Sequence, residues 1–555
     1  MLTKRTKMKK YLLSLALFTV ALTVAATERT AAKMRQSAIK TLNSAKTKSV
    51  LSKSTLEVYS DGTAFTVVSR DDRFPEVLAY GFGNFNIDQA PANVKWWFDR
   101  IQYSMEKAIK ENVPRRSDRT YDPIAPMMET KWGQGTPYNN YTPMMINGER
   151  TPAGCVATSM AQMMNYQQYP ASASFNGSYT MGSNTYTDSV STTYLWPYRL
   201  AYGAYLPTAD AEVATMSYTP LQGNNIAKLI RDCGYAVNMN YNITGSGAMS
   251  DMAGTAFVEK FNYPRESVKY LMRNYFTDEE WMDLLHAELA NNSPVLYSGA
   301  TEKSGGHAFI IHGMDADGLA FVNWGWQGQF DGYYSIDALN PGGEDFSGQE
   351  DMIIGVRPTA LPTDVIQSCF VTNTPYEFSY DNMTKELTLK FTDFVFNATC
   401  YAFTGRWCLV VEDMGNPGNT EFIDMLEEGF VLDPFWGFDA WSGTDEFIFA
   451  PGSYRLYFAT LDTNETDWQY IRTIGGAFYY NMTVATDNTV TIAETPTFVA
   501  SEVDATAIRE VEIQQQPIDC PSAVRYYDLK GQEVGSDTRG LVIMKQGSTI
   551  KKVVK

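Results

Sequence analysis

Histidine is scarce in this chain of 555 residues, which has only His286, His307 and His312. Any chemistry that needs an imidazole base must therefore draw on one of three positions. Cysteine is sparse too: Cys155, Cys233, Cys369, Cys400, Cys408 and Cys520 form no Cys-x-x-Cys pair and no Cys/His ligand spacing. That pattern argues against structural zinc, and no metal or cofactor is expected. Cys400 and Cys408 are spaced to pair across a hairpin, a pairing the sequence leaves open. Positive charge is in deficit, 45 Lys and Arg against 63 Asp and Glu, for a formal net charge of -18. Nucleic acid and anionic membrane surfaces would repel such a chain. After the first 26 residues no apolar run is long enough to span a bilayer.

The N-terminus has the form of a secretory signal at 1–26. Lys4, Arg5, Lys7, Lys9 and Lys10 precede an apolar stretch from Tyr11 to Val24, and Val24-Ala25-Ala26 offers small residues for cleavage. The expected location is outside the cell, secreted or at the cell surface. A chain this long exceeds one core and divides into several domains. Thr55 to Ser69 alternates around the turn Asp61-Gly62, and Val77 to Ile87 reads as a strand pair broken by Gly81 and Gly83. Pro91 opens an amphipathic helix carrying Val94, Trp96, Trp97, Ile101, Met105 and Ile109. The polar, basic stretch from Pro114 to Thr120 reads as an exposed, cleavable linker. A zymogen and an ordinary small domain both fit that order.

The chemistry concentrates between 120 and 358. Gly154 is followed by a run without Gly or Pro that predicts a helix from Cys155 to about Gln168, with Ala157, Met160, Ala161 and Met164 facing a core. Cys155 then sits among unpaired N–H groups at the positive end of the helix, where a thiolate is favoured. Gln134 lies on a Gly/Pro-rich loop twenty-one residues earlier, placed to donate to an oxyanion. Ala171 to about Asn225 is polar and poorly periodic, with a helical patch near Ile226 to Cys233. His286 falls off the apolar stripe of a helix over Asp278 to Ala290 and reads as solvated. Gly306 to Gly313 reads as a strand whose alternation puts His307, Phe309 and Ile311 on one face and His312 on the other. A hairpin returns it to Asn323-Trp324-Gly325-Trp326. The parts make a nucleophile (Cys155), a general base (His307), an orienting amide (Asn323) shielded by Trp324, and an oxyanion donor (Gln134). Gln…Cys…His…Asn is the chain order of papain-like peptidases. Acyl transfer of the transglutaminase type is the nearest rival, and the use of Asn rather than Asp disfavours it. A surface-binding role for the β-rich C-terminal third belongs to a different class and could coexist with proteolysis.

The chain resembles the streptopain family of cysteine peptidases over roughly Thr130 to Pro358. Its matching residues are Gln134 to Asn139, Gly154 to Thr158, Gln162, Tyr169-Pro170, Gly305 to Phe309 (with Gly306 ahead of the base), Val322 to Trp326, and Asp337 to Pro341. Gln327 departs from the family, which usually has Gly there. The resemblance implies an α+β fold in which a papain-like catalytic domain at 120–358 combines a helical subdomain with an antiparallel sheet. It also implies an inhibitory α+β prodomain at 27–119, protein and peptide substrates, and broad endopeptidase activity favouring an apolar residue two positions before the cut. Bacteroidetes relatives carry C-terminal β domains, here expected as a sandwich at 359–500. The closing 501–555 resembles a sorting domain read by type IX secretion machinery, on Tyr526 to Val534 and Gly540 to Ile543.

Overall fold

The computed structural model describes residues 27–113, 119–144, 148–196, 218–301, 305–336, 350–364, 367–416 and 419–499, and four short strands between 525 and 554. The signal segment, Pro114 to Asp118 of the linker and the Asp337 to Pro341 motif lie outside these residues. The chain divides into two compact units, Met1–Val503 and Asp504–Lys555.

In the first unit, helix α1 (Ala31–Leu42) starts at Thr30, whose hydroxyl accepts from the Lys33 N–H. Strands β1 (Lys48–Ser52), β2 (Leu56–Ser60), β3 (Ala64–Ser69) and β4 (Val77–Phe82) follow as an antiparallel meander. The β2–β3 turn is the expected Asp61-Gly62, with Gly62 at φ 95° and the Asp61 carboxylate accepting from the Thr63 and Ala64 N–H groups. Val77 to Ile87 is one strand rather than two. Gly83 (φ 104°) leads the chain off the sheet, and Asn86 caps a short 3₁₀ turn at Ile87–Gln89. Helix α2 (Ala92–Lys110) buries Val94, Trp96, Trp97, Ile101 and Met105, while Ile109 in its last turn stays exposed.

Helix α3 (Cys155–Gln167) matches its predicted span, and every residue from Val156 to Asn165 is buried. It is enclosed on all sides. The stretch after it contains a hairpin that the hydrophobic pattern misses, β5 (Ser172–Met181) and β6 (Asn184–Thr193). This pair stands apart as its own two-stranded sheet with one mostly exposed strand, so little apolar alternation marks it. Helix α4 (Pro220–Ala236) starts six residues before the predicted patch, at a capping box made by Thr219 and Gln222 with Pro220 at its first position. Next come α5 (Asp251–Glu259), β7 (Lys269–Met272), α6 (Asp278–Ala290), β8 (Val295–Thr301), β9 (Gly305–Met314), β10 (Ala320–Asn323), β11 (Gly332–Tyr334) and β12 (Asp351–Ile354).

These strands make one ten-stranded sheet, in the order β1-β2-β3-β4-β11-β10-β9-β8-β12-β7. The join at β4–β11, with Gly81 opposite Gly332 and Ala79 opposite Tyr334, makes the N-terminal segment a continuation of the central sheet. Both glycines are required there, since a side chain on Gly332 would collide with the Tyr80 carbonyl. The sheet is covered on both faces. Leu296, Ala308 and Ile310 pack with α3 in one core, while Tyr297, Phe309 and Ile311 pack with α2 and α6 in the other. The architecture is α+β, a papain-like helix-on-sheet body with added β structure.

From about 367 the chain forms a sandwich. Three strands (Glu377–Asp381, Glu386–Phe391 and Trp441–Glu446) face a larger sheet across a core that includes Leu387, Leu389, Trp407, Phe458 and Tyr480. Arg472 of the sandwich donates to the Glu280 carboxylate and the Tyr275 carbonyl, both at 2.6 Å, with its guanidinium over the Phe276 ring. Cys400 and Cys408 are free thiols. Cys400 packs against Gly254 of α5, whereas Cys408 lies within the strand Phe403–Asp413 and donates to Asp424. The second unit is a four-stranded antiparallel sheet of Arg525–Tyr527, Glu533–Val534, Leu541–Gln546 and Thr549–Val554. Among the described residues no helix is long and apolar enough to cross a membrane.

Trp96 is fully buried, and its ring lies where any side chain on Gly299 would have to go. Trp96→Ala is therefore expected to destabilise the full chain by ~3–5 kcal/mol in urea denaturation. A loss below about 1 kcal/mol, the range of surface substitutions, would mean that α2 does not share the sheet's core.

Candidate active site

Gly154 determines where the Cys155 thiol sits. Its φ of 89° suits only glycine, and a Cβ there would lie 2.7 Å from the Met239 thioether and 3.2 Å from the Ser246 carbonyl. Helix α3 then begins at Cys155, whose N–H is one of the unpaired donors of the first turn. Its Sγ accepts from the Ala308 N–H at 3.5 Å. Ala308 is opposite Ser298 of β8, and it lies beyond the stretch where β10 pairs with β9, so its N–H is available to the sulfur.

The thiol is not yet a thiolate. Burial pushes its pKa up, and the N–H groups of Ala308, Val156 and Cys155 itself pull it down by less. Position at a helix N-terminus alone predicts the opposite balance. It fails because Cys155 is half-buried and the residues after it are buried, so desolvation outweighs the N–H groups.

His307, the residue before Ala308, is half-buried on β9 opposite Gly299 of β8. Trp96 packs against Gly299, so α2 comes up to the sheet beside the imidazole's own cross-strand partner. Gly306, opposite Ala300, is exposed. Gln134 is buried, and its carbonyl accepts from the Ala153 N–H at 2.9 Å, tying the Trp132 to Asn139 loop to the entry of α3. Asn139 strengthens the tie by donating to the Thr151 carbonyl at 3.2 Å.

Asn323 ends β10, 1% exposed. Its amide donates to the Thr130 carbonyl at 2.7 Å and accepts from the Gly325 N–H at 3.0 Å. Trp324 is held by three hydrogen bonds. Its N–H donates to Asp331 at 3.0 Å, its carbonyl accepts from Asn93 of α2 at 2.7 Å, and its indole N–H donates to the Phe330 carbonyl at 3.2 Å. Its ring packs on Phe309 and Tyr334, with centroids 4.7 and 5.0 Å away. Trp326 is half-buried against the same core. Gln327 has the left-handed φ of 57° that explains the usual glycine, so the backbone path is retained. Its side chain lies over Gly133, next to Gln134.

Sequence reasoning missed Asn93, Asp331 and the partners of Gln162. Burial raises the Asp331 carboxyl to about 7, against the Trp324 N–H and the Lys131 charge. The available signal was a polar side chain beside an apolar run, as at Asn93 and Gln162. The other two histidines lie outside this constellation. His286 is half-buried rather than solvated, its ring 5.2 Å from that of Tyr121 and its Nε2 donating to the Asp122 carbonyl. His312 is 2% exposed, and its Nδ1 accepts from the Met128 N–H at 3.2 Å. Among the described residues no cluster of His, Cys, Asp and Glu could hold a metal ion.

Residues 132–334, which contain all four proposed catalytic groups, match the model of the peptidase C10 family. Streptopain of Streptococcus pyogenes is 32% identical over 340 residues, covering 56% of this chain and 82% of streptopain. The thiol protease/hemagglutinin PrtT of Porphyromonas gingivalis is 32% identical over 327 residues, covering 53% of this chain but only 36% of PrtT. The solved prointerpain A fragment of Prevotella intermedia superposes with a TM-score of 0.50 at 32% identity, over 57% of this chain and 99% of that one.

The burial of His312 makes stability depend on pH. Burial lowers its pKa from 6.5 to about 3, so the folded chain keeps it neutral while the unfolded chain takes up a proton below 6.5. The stability this group contributes is complete above 6.5 and is lost as pH falls from there toward 3, by ~1.4 kcal/mol per pH unit. Urea denaturation between pH 7 and 4 is expected to show a shallower pH dependence in His312→Asn than in the unsubstituted chain. Parallel curves would mean that His312 titrates normally.

Proposed function

The chain belongs to the peptidase C10 family of cysteine peptidases, and from that membership we propose that it is an exported endopeptidase made as a zymogen. The observation that carries the proposal is the Cys155 sulfur at the start of a buried helix, hydrogen-bonded to the residue that follows His307. His307 takes the thiol proton, and the sulfur attacks the substrate carbonyl. The resulting oxyanion is held by the Gln134 side-chain amide and the Cys155 N–H. His307 returns the proton to the leaving amine, and the C–N bond breaks to give an acyl-enzyme. Water, deprotonated by the same imidazole, then releases the acyl group and restores the thiol. Asn323 accepts from the imidazole and fixes its tautomer, and Trp324 keeps water from that bond.

The segment from Thr27 to about Arg119 serves as the inhibitory prodomain. Its α2 supports this reading, with Trp96 against Gly299 and Asn93 on the Trp324 carbonyl. A half-buried thiol whose pKa is raised by burial suits a precursor at rest. Residues 1–26 act as the export signal, and the closing sheet near Arg525–Val554 suits a sorting domain recognised by type IX secretion machinery. Protein substrates follow from the family.

The full chain is expected to hydrolyse casein under reducing conditions after cleaving itself between about Asn112 and Thr130, a site read by N-terminal sequencing. Cys155→Ala is expected to remain intact and inactive. Gln134→Ala is expected to lose ~10²–10³-fold in kcat, the usual cost of one oxyanion donor. His286→Ala is expected to match the unsubstituted enzyme. A trimmed, folded chain without activity would overturn the peptidase reading.

A further inference from the structure

Gln162 lies on α3 seven residues after Cys155, nearly two turns along, and so on the same side of the helix as the nucleophile. It is 0% exposed among Met160, Ala161, Met163 and Met164. A primary amide in such surroundings is costly unless its polar atoms are used. Here they are. Gln162 Oε1 accepts from the Trp132 N–H at 3.1 Å and from Asn323 Nδ2 at 3.2 Å, and Nε2 donates to Asn323 Oδ1 at 3.5 Å.

Three backbone groups determine which way the two amides face. The Trp132 N–H requires an oxygen from Gln162, the Thr130 carbonyl requires the nitrogen of Asn323, and the Gly325 N–H requires its oxygen. Both protons of Asn323 Nδ2 are therefore committed, one to Thr130 and one to Gln162. A flipped Asn323 would set its oxygen against two acceptors. The amide can offer an incoming imidazole N–H only its acceptor end. The bond to be displaced is the longest of the set, the 3.5 Å contact with Gln162 Nε2.

We infer that Gln162 is a positioning residue that fixes the acceptor end of Asn323 for His307 and ties the Gln134 loop to the nucleophile's helix. One side chain then sets the mutual placement of the thiol, the orienting amide and the oxyanion donor. This rests on the roles given above to Asn323 and Gln134.

The test is a double-mutant cycle on the matured enzyme with a peptide substrate. Gln162→Met keeps the volume and removes the hydrogen bonds. It is expected to lower kcat by ~10–100-fold, as loss of a supporting residue does, with KM little changed. In an Asn323→Ala background the same substitution is expected to cost much less, because the residue it acts through is gone. Gln162→Glu offers the same acceptor and donor when its buried carboxyl is neutral. It is expected to recover activity as pH falls, a change that a purely structural role would not produce. Equal losses in both backgrounds, or a Glu variant without pH-dependent recovery, would overturn the inference. Full activity in Gln162→Met alongside a slowed Asn323→Ala would overturn it while leaving the reading of the site intact. Should Asn323→Ala be fully active while Cys155→Ala is dead, the assignment of Asn323 itself would fall, and the inference with it.

Discussion

A sheet buried on both faces is the constraint to which everything else answers. Along β9 successive side chains alternate between two cores, one closed by α3 and the other by α2 and α6. Slipping that strand by one residue would exchange Ala308 and Ile310 with Phe309 and Ile311, placing the Phe309 ring where α3 must pass. The small Ala308 lets the start of α3 approach closely enough for its N–H to meet the sulfur. Phe309, the next residue, anchors the second core. The relation of Cys155 to the strand bearing His307 is thus a product of strand register. No flexible loop has to hold it.

The same constraint explains what could be read from the sequence. Cys155 at a helix start was legible because Gly154 interrupts the chain just before an uninterrupted helix-forming run. The hairpin carrying His307, His312 and Asn323 was legible because its strands alternate around an Asp-Gly turn. The period of two puts His307 and His312 on opposite faces, and the structure adds that His312 is buried and bonded to the Met128 N–H. The β5–β6 hairpin was hidden because its strands are polar on both sides. The union of β4 with β11 was hidden for another reason: contacts between residues some 250 positions apart leave no local periodicity. Asn93 and Asp331 did not stand out, because a polar side chain in an apolar run looks the same whether it is satisfied or exposed, and Gln162 stood out only through the family resemblance.

The expectation of a reactive thiolate shows the limit of local argument. The helix terminus was placed correctly, and its N–H groups do lower the thiol pKa. Enclosure of the same terminus raises it more. Which effect wins depends on what covers the helix, and that is a property of the assembled fold.

The β4–β11 junction has one more consequence. β4 pairs with β11, and α2 meets the sheet at Gly299 and Trp324. Were the chain cut after α2, those contacts would persist while their molecularity changed, turning a folded chain into a complex of two. Before the cut, occupancy of the sheet edge is independent of how much protein is present. Afterwards it follows a dissociation constant, and dilution alone can shift it.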